Sequence, residues 1–397
     1  MKSAEIAMQK LPDTKIIIGF IYFGFFVTGV VTVLLGQVLP IISVRLALSD
    51  AHAGYLFIAQ FAASTLGVLT FNRLIRRNGF SATLSLGMIL VALAVLGLNA
   101  DSFFVCLVSV VVYGFGLGIS IPTTNMFIVD ISGKTAASAL NGVNIFWGLG
   151  AIFSKPIVDI TSSQNSIKLT TALISGSMLI CAVFFLSNGF RKNDRSQIQT
   201  AFKKRIIWRS PAAWSLAAFN FVNMGIESSV GGWLTTYEDR MIKQSNLFSA
   251  ALLFFGFMVF GRFIGALATK HFSENRLLFI NIVILAAGIA IICFYPFGIF
   301  FYFGSALAGF GTSSIFPTNL ARFTSIFGGS HTVNLTPYFV AGSAGGAITT
   351  WLVGFTSTNT GNLRNGFFLV LIFVLLLFMM QTIISRSLSN HGGTAND

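Results

Sequence analysis

Acidic residues are scarce in this sequence: 12 Asp and Glu stand against 25 Lys and Arg, and charged residues of both signs make up only 9% of its 397 positions. A water-soluble domain carries about 25% charged residues, so a solvated globular surface is excluded. Cysteine is nearly absent as well. Cys106, Cys181 and Cys293 each lie inside an apolar run without paired spacing, which supports neither a disulfide framework nor a thiolate metal site. None of the four His falls in the middle of an apolar run, and no phosphate-binding glycine loop precedes a Lys-Ser or Lys-Thr. The expectation is a protein that is not an enzyme and needs neither metal nor cofactor.

What is abundant is apolar: 54% of the residues are hydrophobic, and they come in long runs rather than on one face of each segment. Runs of roughly 20 such residues match the ~30 Å hydrocarbon layer of a bilayer. In lipid the backbone must satisfy its own hydrogen bonds, so these runs are helices, and no strand alternation suggests a barrel. Breaks at polar, Gly, Pro and Asn clusters give spans near 16–42, 54–72, 81–99, 104–129, 138–161 and 169–189, then 212–236, 247–269, 277–294, 297–321, 331–355 and 364–385. The fold class is an all-α membrane protein of twelve transmembrane helices. The first run is too long for a signal peptide and lacks a small-residue cleavage site.

A net charge of +13 would suggest nucleic acid in a soluble protein. Here the basic residues follow the spans instead. With a cytoplasmic N-terminus, eighteen Lys and Arg fall in inside segments, seven of them between 190 and 211, and five fall outside: Arg45, Lys168, Arg240, Lys243 and Arg364. That asymmetry places both termini in the cytoplasm, with the lipid bilayer rather than nucleic acid as the surroundings; the inner membrane is the expected location. A monomer is expected.

An internal repeat divides the chain. Gly114-Phe115-Gly116, five residues and Pro122-Thr123 recur as Gly309-Phe310-Gly311, five residues and Pro317-Thr318, an offset of 195 residues. At the same offset Gly150-Ala151 falls on Gly345-Gly346 and Ile160-Thr161-Ser162 on Phe355-Thr356-Ser357. Two segments at one unchanged offset indicate a duplicated six-helix unit. The halves are then 1–190 and 212–397, related by a pseudo-two-fold axis, with 191–211 as a basic cytoplasmic linker. Small residues four apart, Gly114/Gly118, Gly261/Gly265 and Gly342/Gly346, allow close helix approach.

Arg73-Leu74-Ile75-Arg76-Arg77-Asn78-Gly79 resembles the signature loop of the major facilitator superfamily, with Arg76 where an acidic residue is usual. Gly261-Arg262 opens the matching loop of the second half, which also lacks the acid. The resemblance implies that Arg76 and Arg262 help hold one state of the bundle. Glu227 followed by Gly231-Gly232-Trp233 and Tyr237 resembles the fucose permease-like branch, the fucose–galactose–glucose–proton symporters. So do Gly116, Gly118 and Thr123-Thr124-Asn125, Phe146-Trp147-Gly148 with Gly150-Ala151, and Gly345-Gly346 with Trp351 and Gly354. What this implies is two halves rocking around one site, a sugar-like cargo and the proton as a coupling ion. The acids that fucose permease carries in its first and fourth helices are missing, Ile121 standing at the apparent fourth-helix position.

Ionisable groups at membrane depth cost about 2.5–3.5 kcal/mol on insertion scales and face the bundle interior. Glu227 sits near mid-span, with Asn220 and Asn223 seven and four residues before it on one helical face, a face expected to point into the cavity. Lys155 lies in the outer half of the fifth span on the face of Asn144. It has several readings: contact with an anionic substrate, an ion pair with Asp159 one turn away or with Glu227 across the halves, or a reach to the outer surface. Asp130 ends the fourth span and is left to solvent. Trp147 and Trp233 offer indole platforms for a sugar face, although Trp233 also reads as packing or an interfacial anchor. Asn125 and Asn319 stand beside prolines that can bend helices and are candidates for hydroxyl recognition.

The leading expectation is a carrier of a small polar solute, sugar or sugar-like, with Glu227 binding a proton or a hydroxyl. Uptake of an anionic metabolite at Lys155, export of an amphipathic compound, and a non-transporting receptor on the same scaffold are the alternatives.

Overall fold

The computed structural model describes residues 14–132, 136–163, 166–187, 207–242, 249–268, 271–327 and 335–392. Its helices are α1 Thr14–Arg45, α2 Asp50–Gly97, α3 Phe103–Ser132, α4 Ala136–Thr161, α5 Lys168–Ser187, α6 Pro211–Ile242, α7 Ala250–Ala268, α8 Glu274–Phe294, α9 Gly298–Thr312, α10 Ile315–Phe327, α11 Thr336–Thr360 and α12 Leu363–Gly392. Among the described residues there is no strand beyond an isolated bridge between Ser163 and Ser166. Most of the 191–211 linker lies outside the described residues.

Helices and crossings do not correspond one to one. Ten stretches of the described residues are long and apolar enough to cross a bilayer, with α9 and α10 together forming one of them. α2 counts once there yet crosses twice. Its 48 residues reverse direction at Gly79, where φ is 83° and ψ 174°, a conformation open to glycine and strained for other residues. α6 is absent from the ten because Asn, Ser, Thr and Gly dilute its apolar content. With α2 divided and α6 included, the chain has the twelve crossings of the expected fold.

Several boundaries differ from the sequence reading, among them that of the last helix, which runs to Gly392 rather than 385. α6 continues to Ile242, so Glu238, Asp239 and Arg240 are helical rather than in a loop. The eleventh crossing ends at Thr360 instead of 355. The tenth breaks at Ser313-Ser314, between α9 and α10, and Pro317 accounts for this: it has no N–H to offer the carbonyl four residues back, and its ring crowds that carbonyl. The freed Ser313 carbonyl accepts from Arg262 Nε at 3.4 Å. Pro122, its counterpart in the first half, leaves α3 continuous.

The duplication is visible in the contacts. α1 packs along α4 and α6 along α11. A Cβ on Gly150 would collide with the Phe26 carbonyl oxygen and one on Gly345 with the Phe221 carbonyl oxygen, and Phe26 and Phe221 are again 195 residues apart. The halves meet where α1 touches α6, α2 touches α11 and α4 touches α7. At these seams a Cβ on Gly36 would strike Gly231 and Gly232, and one on Gly354 the Asp50 carbonyl. The end of the bundle carrying Arg45, Ser49, Thr161 and Ile242 is called distal below; the end carrying Gly79 is proximal. Apolar side chains such as Leu93, Val183, Ile372 and Ile299, the last 75% exposed, form the surface that lipid covers.

Candidate functional site

A central cavity of about 170 Å³ lies between the halves, lined by Thr32, Val33 and Gly36 of α1, Phe57, Gln60 and Phe61 of α2, Trp147 of α4, Met224, Glu227 and Ser228 of α6, and Phe255 and Met258 of α7. Glu227 is the one carboxylate in this lining. Thr32, its counterpart at the 195-residue offset, organises the facing wall. The Thr32 hydroxyl accepts from Trp147 Nε1 at 3.3 Å and donates to the Thr28 carbonyl at 2.7 Å. Its carbonyl accepts from Gln60 Nε2 at 3.2 Å. The Arg262 guanidinium stands 6.0 Å from the Trp147 ring centroid, at cation–π range, and acts electrostatically on Glu227. Far from opening a cytoplasmic loop, Arg262 lies inside α7. Arg76 is exposed near the proximal end of the first crossing of α2.

The amides go elsewhere. Asn220 and Asn223 share a face of α6 with Glu227, as their spacing requires, yet both are buried at 1% exposure. At the level of Asn220 that face is covered by α11: Asn220 Nδ2 donates to the Tyr338 carbonyl at 3.0 Å. Asn223, one turn on, is enclosed with neither side-chain atom hydrogen-bonded. The face opens into the cavity only at the level of Glu227. A shared helical face fixes direction and leaves height free. Asn319 Nδ2 donates to the Leu216 carbonyl at 3.2 Å and to the Tyr338 hydroxyl at 2.8 Å, tying α10 to α6 and α11. Asn125 is half-buried and does not line the cavity. Asn144 is exposed and donates to the Leu140 carbonyl of its own helix at 2.8 Å. Trp233 is fully buried, its Nε1 donating to the Thr350 carbonyl at 2.8 Å, so packing is its structural role.

Lys155 pairs with Asp159. The pair lines a separate distal cavity of about 830 Å³, not the central one, and Lys155 makes no bridge to Glu227.

Four contacts across the halves were not foreseen. Arg240 clasps Asp50 with two bonds, Nη1 to Oδ2 at 2.8 Å and Nη2 to Oδ1 at 2.6 Å. The Ser357 hydroxyl donates to the same carboxylate. The Ala51 N–H donates to Thr358 Oγ1 at 2.8 Å. Thr235 Oγ1 donates to Gln37 Oε1 at 2.7 Å. This latch joins α1 and α2 of the first half to α6 and α11 of the second at the distal end. The available signal was the repeat itself, since Arg240 falls on Arg45 at the 195-residue offset.

The Major Facilitator Superfamily profile matches residues 21–333. Among curated proteins, "Bypass of stop codon protein 6" of Saccharomyces cerevisiae is 21% identical over 307 residues, covering 70% of this chain and 61% of that protein. The chain thus spans about three fifths of that relative's length. Among solved structures, a bacterial homologue of the human lysosomal transporter Spinster, inward-facing and occupied, aligns with a TM-score of 0.73 at 14% identity, covering 94% of this chain and 97% of that one. The Escherichia coli fucose:proton symporter aligns with a TM-score of 0.59 at 17% identity, covering 93% and 98%. At these identities the likeness concerns the fold.

Proposed function

We propose that this chain, which belongs to the Major Facilitator Superfamily, is a multi-pass membrane transporter rather than an enzyme, and that its cargo is a small polar solute of the sugar kind. The observation that carries this reading is the central cavity shared by both halves, with Glu227 as its single carboxylate beside the Trp147 indole, Gln60 and Ser228. Its size of about 170 Å³ favours a small molecule. A carboxylate and an amide suit hydroxyl groups, and an indole suits the apolar face of a ring. The fold likeness to a fucose symporter is in keeping with this.

In this reading the halves, 1–190 and 212–397, rock about the cavity, and the latch holds the distal side shut while the cavity communicates with the proximal side. Glu227 carries the coupling proton, and the protein works as a monomer in the inner membrane with both termini cytoplasmic. A cysteine placed at Ser196, outside the described residues, then resists a membrane-impermeant thiol reagent in intact cells; ready labelling there reverses the orientation. The anionic-cargo reading recedes because Lys155 is held by Asp159 away from the cavity. Export of an amphipathic solute stays as the second reading, favoured by Phe57, Phe61, Phe255 and Met258 in the lining. Counterflow of labelled sugars in proteoliposomes tests the proposal. Counterflow of amphipathic solutes without that of sugars establishes the second reading, and no counterflow of either kind supports a receptor.

A further inference from the structure

Two helix ends correspond across the repeat. α2 closes at Gly97 with Leu98 as its C-cap, α8 closes at Phe294, and the Leu98 and Cys293 carbonyls are 195 residues apart. The last carbonyls of a helix have no partner in their own helix. They also carry the negative end of its dipole, so a cation is favoured there. Each of the two ends has one. At Leu98 it is Arg45, from the end of α1, whose Nη2 donates to the carbonyl. At Cys293 it is Arg364, from the first turn of α12. Its Nε donates to the Cys293 carbonyl and its Nη2 to the Phe294 carbonyl at 3.5 Å, and its guanidinium stands 5.6 Å from the Phe368 ring centroid.

The repeat would put a different arginine there. Arg45 falls on Arg240, not on Arg364, and Arg240 is at the right level for the role. α6 runs beside α12: the Tyr237 ring stacks on that of Phe367 with centroids 4.7 Å apart, and Tyr237 is within electrostatic reach of both Cys293 and Arg364. Arg240 follows Tyr237 by about a turn towards the distal end of α6. Arg364 precedes Phe367 by the same step on α12, which runs the opposite way. The two arginines therefore leave their helices at one height, beside the end of α8.

Arg45 shows what an arginine in this position does when the helix end is free. An acid, Asp101, stands 3.8 Å from it, yet its hydrogen bond goes to the Leu98 carbonyl. Arg240 would meet the same choice, between the end of α8 and Asp50. Arg364 removes that choice. With the Cys293 and Phe294 carbonyls occupied, the Arg240 guanidinium gives Nη1 and Nη2 to the Asp50 carboxylate, at 2.8 and 2.6 Å, and so reaches the other half. Two charge-assisted bonds in parallel are the strong form of such a contact.

We propose that Arg364 is a positioning residue for the distal latch: by occupying the C-terminal end of α8 it denies Arg240 a place within the second half and directs it across to Asp50. The strength of the distal closure is then set in part from α12, a helix that contributes no residue to the latch itself. This rests on the reading of the latch as the closure of the distal side.

The test measures the rate at which a thiol reagent labels a cysteine at Thr350, a fully buried position, in the purified full chain with Cys106, Cys181 and Cys293 replaced by Ala. Arg364→Ala leaves the end of α8 open, and Arg240 divides its time between that end and Asp50. Labelling should be about threefold faster than in the parent, the size of a modest coupling between neighbouring sites. Arg364→Lys, which keeps a cation at the helix end, should restore most of the parent rate. The decisive comparison is made in Arg240→Ala. There Arg364→Ala should add nothing, because the arginine it releases is gone. The parent rate in Arg364→Ala overturns the proposal. So does an acceleration of the same size with and without Arg240, which would mean that loss of Arg364 loosens the second half by a route of its own. If Arg364→Ala does not fold, Arg364→Gln is measured against the same two criteria. Labelling that stays at the parent rate in Arg240→Ala refutes the latch as the distal closure and this proposal with it; labelling that is faster in Arg240→Ala but not in Arg364→Ala refutes the role of Arg364 alone.

Discussion

α1 and α6 are the same helix twice, each 32 residues long, and they have been put to different uses. At the 195-residue offset Gly36 matches Gly231 and Arg45 matches Arg240, while Phe25, Thr28, Thr32, Ser43 and Val44 are replaced by Asn220, Asn223, Glu227, Glu238 and Asp239. The small residues that let backbones approach are kept, and the ionisable chemistry has gathered in one copy. Even the matched arginines diverge. Arg45 donates to the Leu98 carbonyl and stands 3.8 Å from Asp101, within its own half, whereas Arg240 reaches across to Asp50. The pair shows a scaffold conserved by packing and a function carried by asymmetry.

The sharpest way to break this comparison is at Glu227 and Thr32, which occupy equivalent positions in one cavity. Glu227→Gln keeps shape and hydrogen-bonding reach and removes titration. Accumulation of substrate under an inward proton-motive force should fall to the level seen without a gradient, while counterflow persists. Thr32→Val removes one hydroxyl, worth about 0.5–1.5 kcal/mol, and should weaken substrate binding severalfold without abolishing accumulation. Full pH-driven accumulation in Glu227→Gln would exclude the asymmetric acid as the coupling group.

Packing should behave in the opposite way, symmetrically. Gly150→Ala and Gly345→Ala each set a methyl against a carbonyl oxygen of the neighbouring helix, Phe26 or Phe221. Forcing a methyl into such contacts costs about 1–3 kcal/mol. Both variants should lower the detergent melting temperature to a similar degree. A large loss in one half and none in the other would mean that the two seams do not bear equally on the fold.

These two predictions separate what the sequence could reveal from what it could not. The twelve crossings and the repeat were legible because lipid demands long apolar runs and because the Gly150–Phe26 type of contact fixes small residues at one offset. Glu227 was legible because a lone carboxylate in an apolar span needs a polar surface. The roles of Asn220, Asn223 and Asn319 were not, since in a bilayer amides serve helix–helix contacts as readily as cavities, and the sequence does not say where along α6 the cover of α11 ends. The Asp50–Arg240 clasp was missed because both residues were assigned to loops, and α6 in fact runs to Ile242.

A smaller effect is expected at that clasp. Asp50 is nearly buried and Arg240 is 44% exposed on its side chain, so loss of the pair should cost about 1–2 kcal/mol, between the values for exposed and buried pairs. Arg240→Ala should favour opening of the distal seam, read as faster thiol labelling of a cysteine at Thr350, which is fully buried beside Trp233. The exchanged pair Asp50→Arg with Arg240→Asp should restore part of the protection. Arg45→Ala, lacking any partner in the other half among its described contacts, should leave that labelling unchanged. Equal labelling in Arg240→Ala and wild type would remove the clasp from the gate.

The smallest effect belongs to Lys155, and it extends the comparison to α4 and α11. Lys155 and Asp159 match Thr350 and Gly354 at the repeat offset. In the second half those positions are packed: the Thr350 carbonyl accepts from Trp233, and Gly354 lies against Asp50 and Trp233. In the first half they border the distal cavity, where the pair has side-chain exposures of 13% and 38%. A pair one turn apart on one helix contributes about 0.3–0.5 kcal/mol and joins no second helix, so it is weaker than the structural ion pair that the sequence alone suggested. Lys155→Ala should therefore express normally and melt within about a degree or two of the wild type. Gly354→Ala, at the packed counterpart, should lose far more. If Lys155→Ala instead fails to express and Lys155→Asp with Asp159→Lys rescues it, the distal pair is structural and the first half is as tightly built there as the second.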